Sequence, residues 1–168
     1  DDGSIPDDNP FHGSPVYSLG HRNPQGMTWD DKGNLFVAEF GPEKNDEINL
    51  IQAGKNYGWP EEQCSGDKDF EDALLCYDPS IEPGGILFYS GNSLDFESSF
   101  IMASMRAANL YQVNFEEGLS SQKSILSGVG RVRDVVQGPD GSLYVITSNT
   151  DGKGFPDSMD DKLLRILK

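Results

Sequence analysis

The sequence predicts an all-β fold, and three observations support this class. Its apolar runs are short. Most of the gaps between them contain turn-forming residues, for which the chain has 19 glycines and 10 prolines as well as Asn and Asp. No stretch keeps a 3.6-residue apolar period long enough to predict a helix. We therefore expect short strands joined by turns.

The predicted strands follow one another along the chain. Each is a short apolar run next to turn-forming residues. They cover residues 35–38, 48–51, 86–89, 100–103, 110–113, 143–146 and 163–167. A further segment, 16–19, is predicted as a spare strand near the start of the chain.

An internal repeat makes the fold prediction more specific. Residues 30–37 (DDKGNLFV) and 138–145 (GPDGSLYV) share an Asp-Gly turn followed by a strand, and a weaker copy surrounds Phe100. The spacing suits the four-stranded blade of a β-propeller, which takes roughly 40–50 residues. We predict a partial β-propeller with blades at about 20–60, 80–127 and 128–168 and an insertion at 60–79. A β-sandwich with recurrent hairpins is the alternative.

Charge narrows the range of partners. The 168 residues include 13 basic and 28 acidic side chains, a net charge of −15. This charge repels nucleic acid and anionic lipid, so neither is an expected partner, whereas it suits divalent cations. No apolar run approaches the roughly 18 residues of a membrane-spanning helix, and the sequence shows no signal-peptide pattern.

The two cysteines, Cys64 and Cys76, flank a short polar segment with little core of its own. A disulfide there would stabilise the fold by roughly 3 kcal/mol on the loop-entropy model. The composition of the segment favours this bridge, and two free thiols are the alternative.

One segment, residues 20–60, concentrates the polar residues that could perform chemistry. Arg22 and Asn23 place a cation beside an amide on a turn. The Gly41-Pro42 turn can expose backbone carbonyls, with Asp46 and Glu47 close by in sequence. Hard oxygen ligands of this kind suit Ca²⁺. The alternatives are a surface ion pair at Arg22 and a solvated acidic loop.

This segment resembles the glucose/sorbosone dehydrogenase family, soluble PQQ-dependent sugar dehydrogenases. The motifs that carry the resemblance are GHRNPQG (20–26), DEINLI (46–51) and GKNYGWP (54–60). Weaker matches at 79–83, 103–106 and 130–135 extend it over nearly the whole chain, in the order of the family's C-terminal half. The resemblance implies three four-stranded blades of a six-bladed propeller.

The resemblance also implies roles for ten residues. The pair that would face the quinone is Arg22 and Asn23. Gly41 and Pro42 would give backbone carbonyls to a calcium ion that the cofactor shares, and Glu47 and Tyr57 match positions near a second calcium ion. The residues that would contact PQQ are Ser80, Arg106, Arg131 and Arg133. The two arginines at 131 and 133 lie on the same side of a predicted strand and suit the carboxylates of PQQ.

The sequence also departs from the family pattern. Phe40 replaces a polar residue beside the calcium ion, Asp78 replaces an aromatic, and Arg106 replaces a lysine. The family's general base is a histidine in the other half, which neither His12 nor His21 matches.

The resemblance therefore implies the cofactor-binding half of an enzyme that transfers hydride from a sugar to PQQ, inactive alone. A noncatalytic propeller that serves as a binding module is the alternative. The implied location is periplasmic or extracellular. Because three blades cannot close a ring, we also expect a homodimer or association with a missing half.

Overall fold

The protein folds into three antiparallel sheets, seen in a computed structural model that describes residues 3–65, 69–96, 98–116 and 119–168. The first sheet contains β1 (Pro24–Trp29), β2 (Leu35–Glu39), β3 (Asp46–Ile51) and β4 (Leu75–Tyr77). The second contains β5 (Pro83–Tyr89), β6 (Ser99–Ser104), β7 (Asn109–Glu116) and β8 (Leu119–Ser127). The third contains β9 (Val132–Gln137), β10 (Leu143–Thr147) and β11 (Leu163–Ile166). The all-β prediction is confirmed, since the described residues contain no helix.

No candidate for a membrane-crossing helix occurs in the part of the chain that the structure describes.

The repeated Asp-Gly turns connect the first two strands of the first and third sheets. Asp30 accepts hydrogen bonds from the amides of Lys32 and Asn34, which closes the β1–β2 turn. Asp140 accepts one from the amide of Ser142 in the β9–β10 turn. A short acceptor side chain at the start of a turn stabilises it in this way. The repeat seen in the sequence is therefore a repeat of structure.

The three sheets pack face to face, with the second in the middle. Phe36, Ile48, Phe100 and Met102 belong to the core between the first and second sheets. The core between the second and third sheets consists mainly of aliphatic side chains, among them Ile101, Leu110, Val132, Leu143 and Val145. The first strands of the sheets, β1, β5 and β9, lie next to one another. As a result the loops that follow Gly20, Glu39, Tyr77 and Ser104 meet at one place.

Three details differ from the sequence-based expectation. The short strand β4 lies inside residues 60–79, which were expected to be an insertion, and pairs with β3 as the fourth strand of the first sheet. The third sheet has three strands among the described residues, where four were expected. Segment 16–19 is not spare, because Tyr17 and Leu19 form backbone hydrogen bonds with Gly54, Lys55 and Tyr57 of the same chain.

The expected disulfide is present. Cys64 and Cys76 are bonded, with Cα atoms 5.5 Å apart. Cys76 lies in β4 and pairs with Glu47 of β3, so the disulfide fastens the loop around Cys64 to the edge of the first sheet.

Candidate active site

The β2–β3 turn lies between two buried carboxylates. Glu39, at the end of β2, accepts hydrogen bonds from His21 Nδ1 at 3.0 Å and Asn49 Nδ2 at 2.9 Å on one oxygen. Its other oxygen accepts the backbone amides of Arg22 at 2.8 Å and Asn23 at 3.3 Å. Glu39 therefore fixes the backbone of the two residues predicted to face the quinone.

Asp46, at the start of β3, is the second buried carboxylate. Its Oδ1 accepts the amide of Gly41 at 2.9 Å. Its Oδ2 accepts Ser80 Oγ at 2.8 Å and the amides of Ile81 at 2.7 Å and Glu82 at 2.8 Å. Asp46 thus joins the turn of the first sheet to the segment that enters the second.

Arg22 bends over this turn. Its guanidinium donates to the carbonyls of Phe40 at 3.0 Å and Gly41 at 2.9 Å. The same group lies 5.2 Å from the ring centre of Trp59, a cation–π distance. The structure therefore brings together Arg22 and Gly41, which the sequence analysis assigned separately to the quinone and the calcium ion.

A second cluster gathers three arginines around two carboxylates. Glu82 accepts Arg106 Nη2 at 3.1 Å on one oxygen and Arg131 Nη2 at 3.0 Å on the other. Asp151 contacts Arg131 at 3.2 Å and Arg133 at 3.4 Å. The Lys153 amide, followed by the charges of Arg131 and Arg133, lowers the pKa of Asp151 below its ordinary value despite partial desolvation. This carboxylate is therefore ionised at neutral pH.

A cavity of about 520 Å³ opens beside this cluster. Its walls combine cationic, amide and apolar groups. They are formed by Glu82, Met105, Arg106, Ala108, Gly130, Arg131, Asn149, Lys153, Gly154 and Phe155. Phe155 is 100% exposed at its mouth. A cavity with these walls suits a planar anion with an apolar ring.

The two glutamates on the outer face of the first sheet, Glu39 and Glu47, have pKa values that are shifted in opposite directions. Burial raises the pKa of Glu39, but the hydrogen bond from His21 and the amides of Arg22 and Asn23 outweigh it, and the pKa lies below its ordinary value. Burial also raises the pKa of Glu47, and here the charge on Glu39 adds to it and the pKa stays above its ordinary value. Because His21 binds Glu39 on one side and Ser18 Oγ on the other, at 2.8 Å, its ring nitrogens are engaged in local hydrogen bonds.

The remaining predicted site residues have other neighbours. Ser80 contacts Asp46 and does not line the cavity. Arg133 does not line the cavity either, and its guanidinium donates to Ser148 Oγ at 2.9 Å. Glu47 accepts the amide of Cys64 at 2.6 Å, and the Tyr57 hydroxyl donates to the carbonyl of Leu50 at 2.6 Å. Pro42 is exposed on the β2–β3 turn.

Sequence reasoning missed the carboxylates that organise these groups, namely Glu39, Glu82 and Asp151. For Glu82 the stretch PSIEP (79–83) gave no signal, because only a buried carboxylate requires a cationic partner and the sequence does not show its burial. Glu39 shares a strand face with Glu47, its cross-strand partner in the register, but this pairing depends on a register that the sequence does not state.

Comparison with known proteins decides the family. The model of the Glucose / Sorbosone dehydrogenase family matches residues 1–165. The chain belongs to this family. The family resemblance stated from the motifs is therefore confirmed.

Individual relatives agree with this assignment. The aldose sugar dehydrogenase of Escherichia coli is 33% identical over 91% of this chain and 47% of that protein. The quinoprotein glucose dehydrogenase B of Acinetobacter calcoaceticus is 60% identical over 35% of this chain and 13% of that protein. The PQQ-bound aldose sugar dehydrogenase of Streptomyces coelicolor has a TM-score of 0.84 and 39% identity, over 97% of this chain and 48% of that one. The chain spans about half the length of the Escherichia coli and Streptomyces coelicolor proteins.

Proposed function

We propose that this chain supplies the cofactor-binding half of a PQQ-dependent sugar dehydrogenase. The observation that carries the proposal is the convergence of Arg106 and Arg131, from different sheets, on one cavity. The family assignment and the PQQ-bound relative support it. By the same resemblance the three sheets are three blades of a six-bladed propeller, and the protein acts in the periplasm or outside the cell.

The charge of the cavity fits the three carboxylates of PQQ. Three cationic side chains line it, those of Arg106, Arg131 and Lys153, against the single carboxylate of Glu82. Two positive charges therefore remain for a ligand. Guanidinium groups bind carboxylates through paired hydrogen bonds. Arg131 is buried and would bind a PQQ carboxylate with its side chain in a fixed position. Arg106 is half exposed, so its side chain could adjust to the ligand.

Calcium would depend on backbone oxygens at this site. The described residues include no group of three or more His, Cys, Asp or Glu side chains that could hold a metal ion. Ca²⁺ takes six to eight oxygen ligands. The carbonyls of Gly41 and Pro42 would supply two of these, and the cofactor and solvent the others. The Gly41 carbonyl already accepts Arg22, but a carbonyl oxygen has a second lone pair.

PQQ, when bound, supplies the acceptor for a hydride from the sugar. The residues of this chain would bind and orient it. Arg22 would place a fixed positive charge beside the quinone oxygens and stabilise the negative charge that develops there. Asn23 would lie next to it on the same backbone turn. The proton acceptor for the sugar hydroxyl is expected outside this chain.

A PQQ titration of the full gene product tests the proposal. Arg106→Ala should weaken PQQ binding about tenfold or more, because a charge-assisted hydrogen bond is lost. Lys123→Ala, a charge removal on β8 away from the cavity, is the matched control and should leave the affinity unchanged. Equal affinities for wild type and Arg106→Ala would contradict the proposed binding wall.

The 168-residue chain alone provides a second test. With PQQ and Ca²⁺ added it should show no dye-linked oxidation of aldoses, because half of the cofactor wall and the general base are missing. Substantial activity would contradict the proposal that part of the active site lies outside this chain. A full gene product that binds neither PQQ nor sugar would instead favour the noncatalytic binding module.

A further inference from the structure

Asp46 connects the β2–β3 turn with the segment that leads to the arginine cavity. Among the described residues, these two parts share one other direct hydrogen bond, a long one from Arg106 to the carbonyl of Glu43. One oxygen of Asp46 binds the amide of Gly41 in the turn that carries Arg22. The other binds the segment 80–82, which ends in the carboxylate shared by two cavity arginines. Because Asp46 is 0% exposed and accepts hydrogen bonds from four donors, its side chain is held in a single conformation.

The backbone at Glu82 shows that this connection holds a demanding geometry. Glu82 has a φ of 53°, in the left-handed region that is unfavourable for a non-glycine residue. Its backbone amide donates to Asp46, and its carboxylate accepts hydrogen bonds from Arg106 and Arg131. The hydrogen bond that Asp46 accepts thus compensates for a strained conformation that aims the carboxylate at the two arginines.

We propose that Asp46 is a positioning residue that couples the Arg22–Gly41 turn to the arginine cavity. The inference rests on the proposed function, since the turn and the cavity are taken as the two sides of one PQQ site. Displacement of the turn should then change how the arginines are presented to the ligand, and displacement of the arginines should change the turn. This reciprocity is a thermodynamic requirement of any coupling between two sites.

Asp46→Asn tests the coupling because it removes one hydrogen bond selectively. The amide oxygen of Asn would remain on the side with three donors, from Ser80, Ile81 and Glu82. Its NH₂ group would then face the amide of Gly41, so two donors would meet and that hydrogen bond would be lost. Thr28→Val is the matched control, since it removes one hydrogen bond between the first and second sheets, donated by the amide of Phe88, and leaves all four donors to Asp46 in place.

The measurements use the full gene product in two states. Without ligand, hydrogen exchange is followed in peptides covering 40–46 and 80–84. With excess Ca²⁺, the PQQ dissociation constant is measured well below the melting temperature. Asp46→Asn should speed exchange in 40–46 and weaken PQQ binding about tenfold. Thr28→Val should change PQQ affinity less than about threefold even if it lowers the melting temperature, because its lost hydrogen bond lies outside the site.

Each outcome decides between the two proposals. If wild-type protein does not bind PQQ, the proposed function fails, while exchange in 40–46 still tests the coupling. If Asp46→Asn exchanges faster in 40–46 but binds PQQ like wild type, the positioning role is wrong.

If Asp46→Asn does not fold, Glu82→Gln is used. It keeps the hydrogen bond from the backbone amide of residue 82 to Asp46, sets an NH₂ group against one arginine and removes the negative charge that both arginines contact. Coupling predicts faster exchange in 40–46 for this variant too, and unchanged exchange there would overturn the inference.

Discussion

At the scale of single residues, Glu39 and Glu47 share a strand face and respond to pH in opposite directions. Glu39 has a pKa below its ordinary value of 4.5, so its contribution to stability is present above that pH and is lost as the pH falls. Glu47 has a raised pKa, so its contribution is largest when it is protonated and is lost as the pH rises through that pKa. This face of the first sheet therefore carries one carboxyl group that is most stabilising when charged, Glu39, and one that is most stabilising when protonated, Glu47.

Substitutions at these two positions should consequently show opposite pH dependence. Glu39→Gln should cost the most stability at neutral pH, and the cost should shrink as the pH falls below about 4. Glu47→Gln should cost least at neutral pH. Free energies of unfolding measured in urea between about pH 3 and pH 7 check both slopes. Parallel slopes for the two variants would show that the glutamates do not differ in this way.

Arg131, which immediately precedes β9, and Arg133, which lies within β9, should differ in their effect on stability. The side chain of Arg131 is 10% exposed and its loss leaves Glu82 and Asp151 without their main buried partner. Arg131→Ala should therefore destabilise the fold by about 2–3 kcal/mol. The side chain of Arg133 is 42% exposed, so Arg133→Ala should lower the free energy of unfolding by less than about 1 kcal/mol. Thermal unfolding of the two variants without ligand makes this comparison, and a stability loss at Arg133 as large as at Arg131 would contradict it.

At this scale the sequence was sufficient to propose four residues that the structure groups together, but not their internal partners. Arg22, Gly41, Arg106 and Arg131 were singled out from motifs, and the structure places them around two neighbouring clusters. Glu82 was missed as a partner because its contacts come from residues far along the chain. Motifs record which residues are needed, whereas charge pairing depends on three-dimensional proximity.

At the scale of elements, the β2–β3 turn depends on a glycine. A Cβ atom at Gly41 would lie 1.9 Å from the carbonyl oxygen of Lys44, a distance at which the backbone must move. Gly41→Ala should therefore destabilise the protein by about 2 kcal/mol or more, and it should also disturb the Arg22 contact. Pro42→Ala, at an exposed neighbouring position, is the control and should stay within about 0.5 kcal/mol. Urea unfolding of both variants tests this, and a mild effect at Gly41 would show that the turn is more adaptable than its packing indicates.

The disulfide should be what keeps β4 on the sheet. This strand has three residues and lies beyond a loop, so few contacts hold it. Replacing Cys64 and Cys76 together with alanine should lower stability by about 3 kcal/mol. It should also speed hydrogen exchange in 60–77 more than in the third sheet, which serves as the internal control. Uniform exchange throughout would mean that the bridge acts on the whole fold.

Strands were predicted from runs of apolar residues. The prediction failed for strands that form through pairing with a neighbouring strand and have no such run. The apolar runs in β2, β3, β6 and β10 were recognised because each contributes to a core. β8 (LSSQKSILS) is mostly polar and forms through its backbone pairing with β7. β4 was taken as part of an insertion, since a three-residue strand leaves almost no pattern to detect.

At the scale of the whole molecule, both outer faces of the stack of sheets expose apolar side chains, although the segment around Tyr57 covers part of the first face. On the first sheet, Met27 and Trp29 are 60% and 58% exposed. On the third, Val136, Ile146 and Leu163 point to the side opposite the core, as the register with Tyr144 and Arg165 shows. Exposed apolar groups that cluster on one face are typical of interaction sites.

We therefore predict that these faces are covered in the working protein, by the other half of a full gene product or, for this chain alone, by a second copy. Light scattering at low micromolar concentration should give a mass above the 18.4 kDa of one chain. Because each copy carries a net charge of −15, association should strengthen when salt screens the repulsion. Ile146→Glu should weaken association through the third sheet, whereas Met159→Glu, on a loop, should not. A folded monomer at every salt concentration would mean that the chain tolerates both faces in water, and the open sheets would then give no argument for assembly.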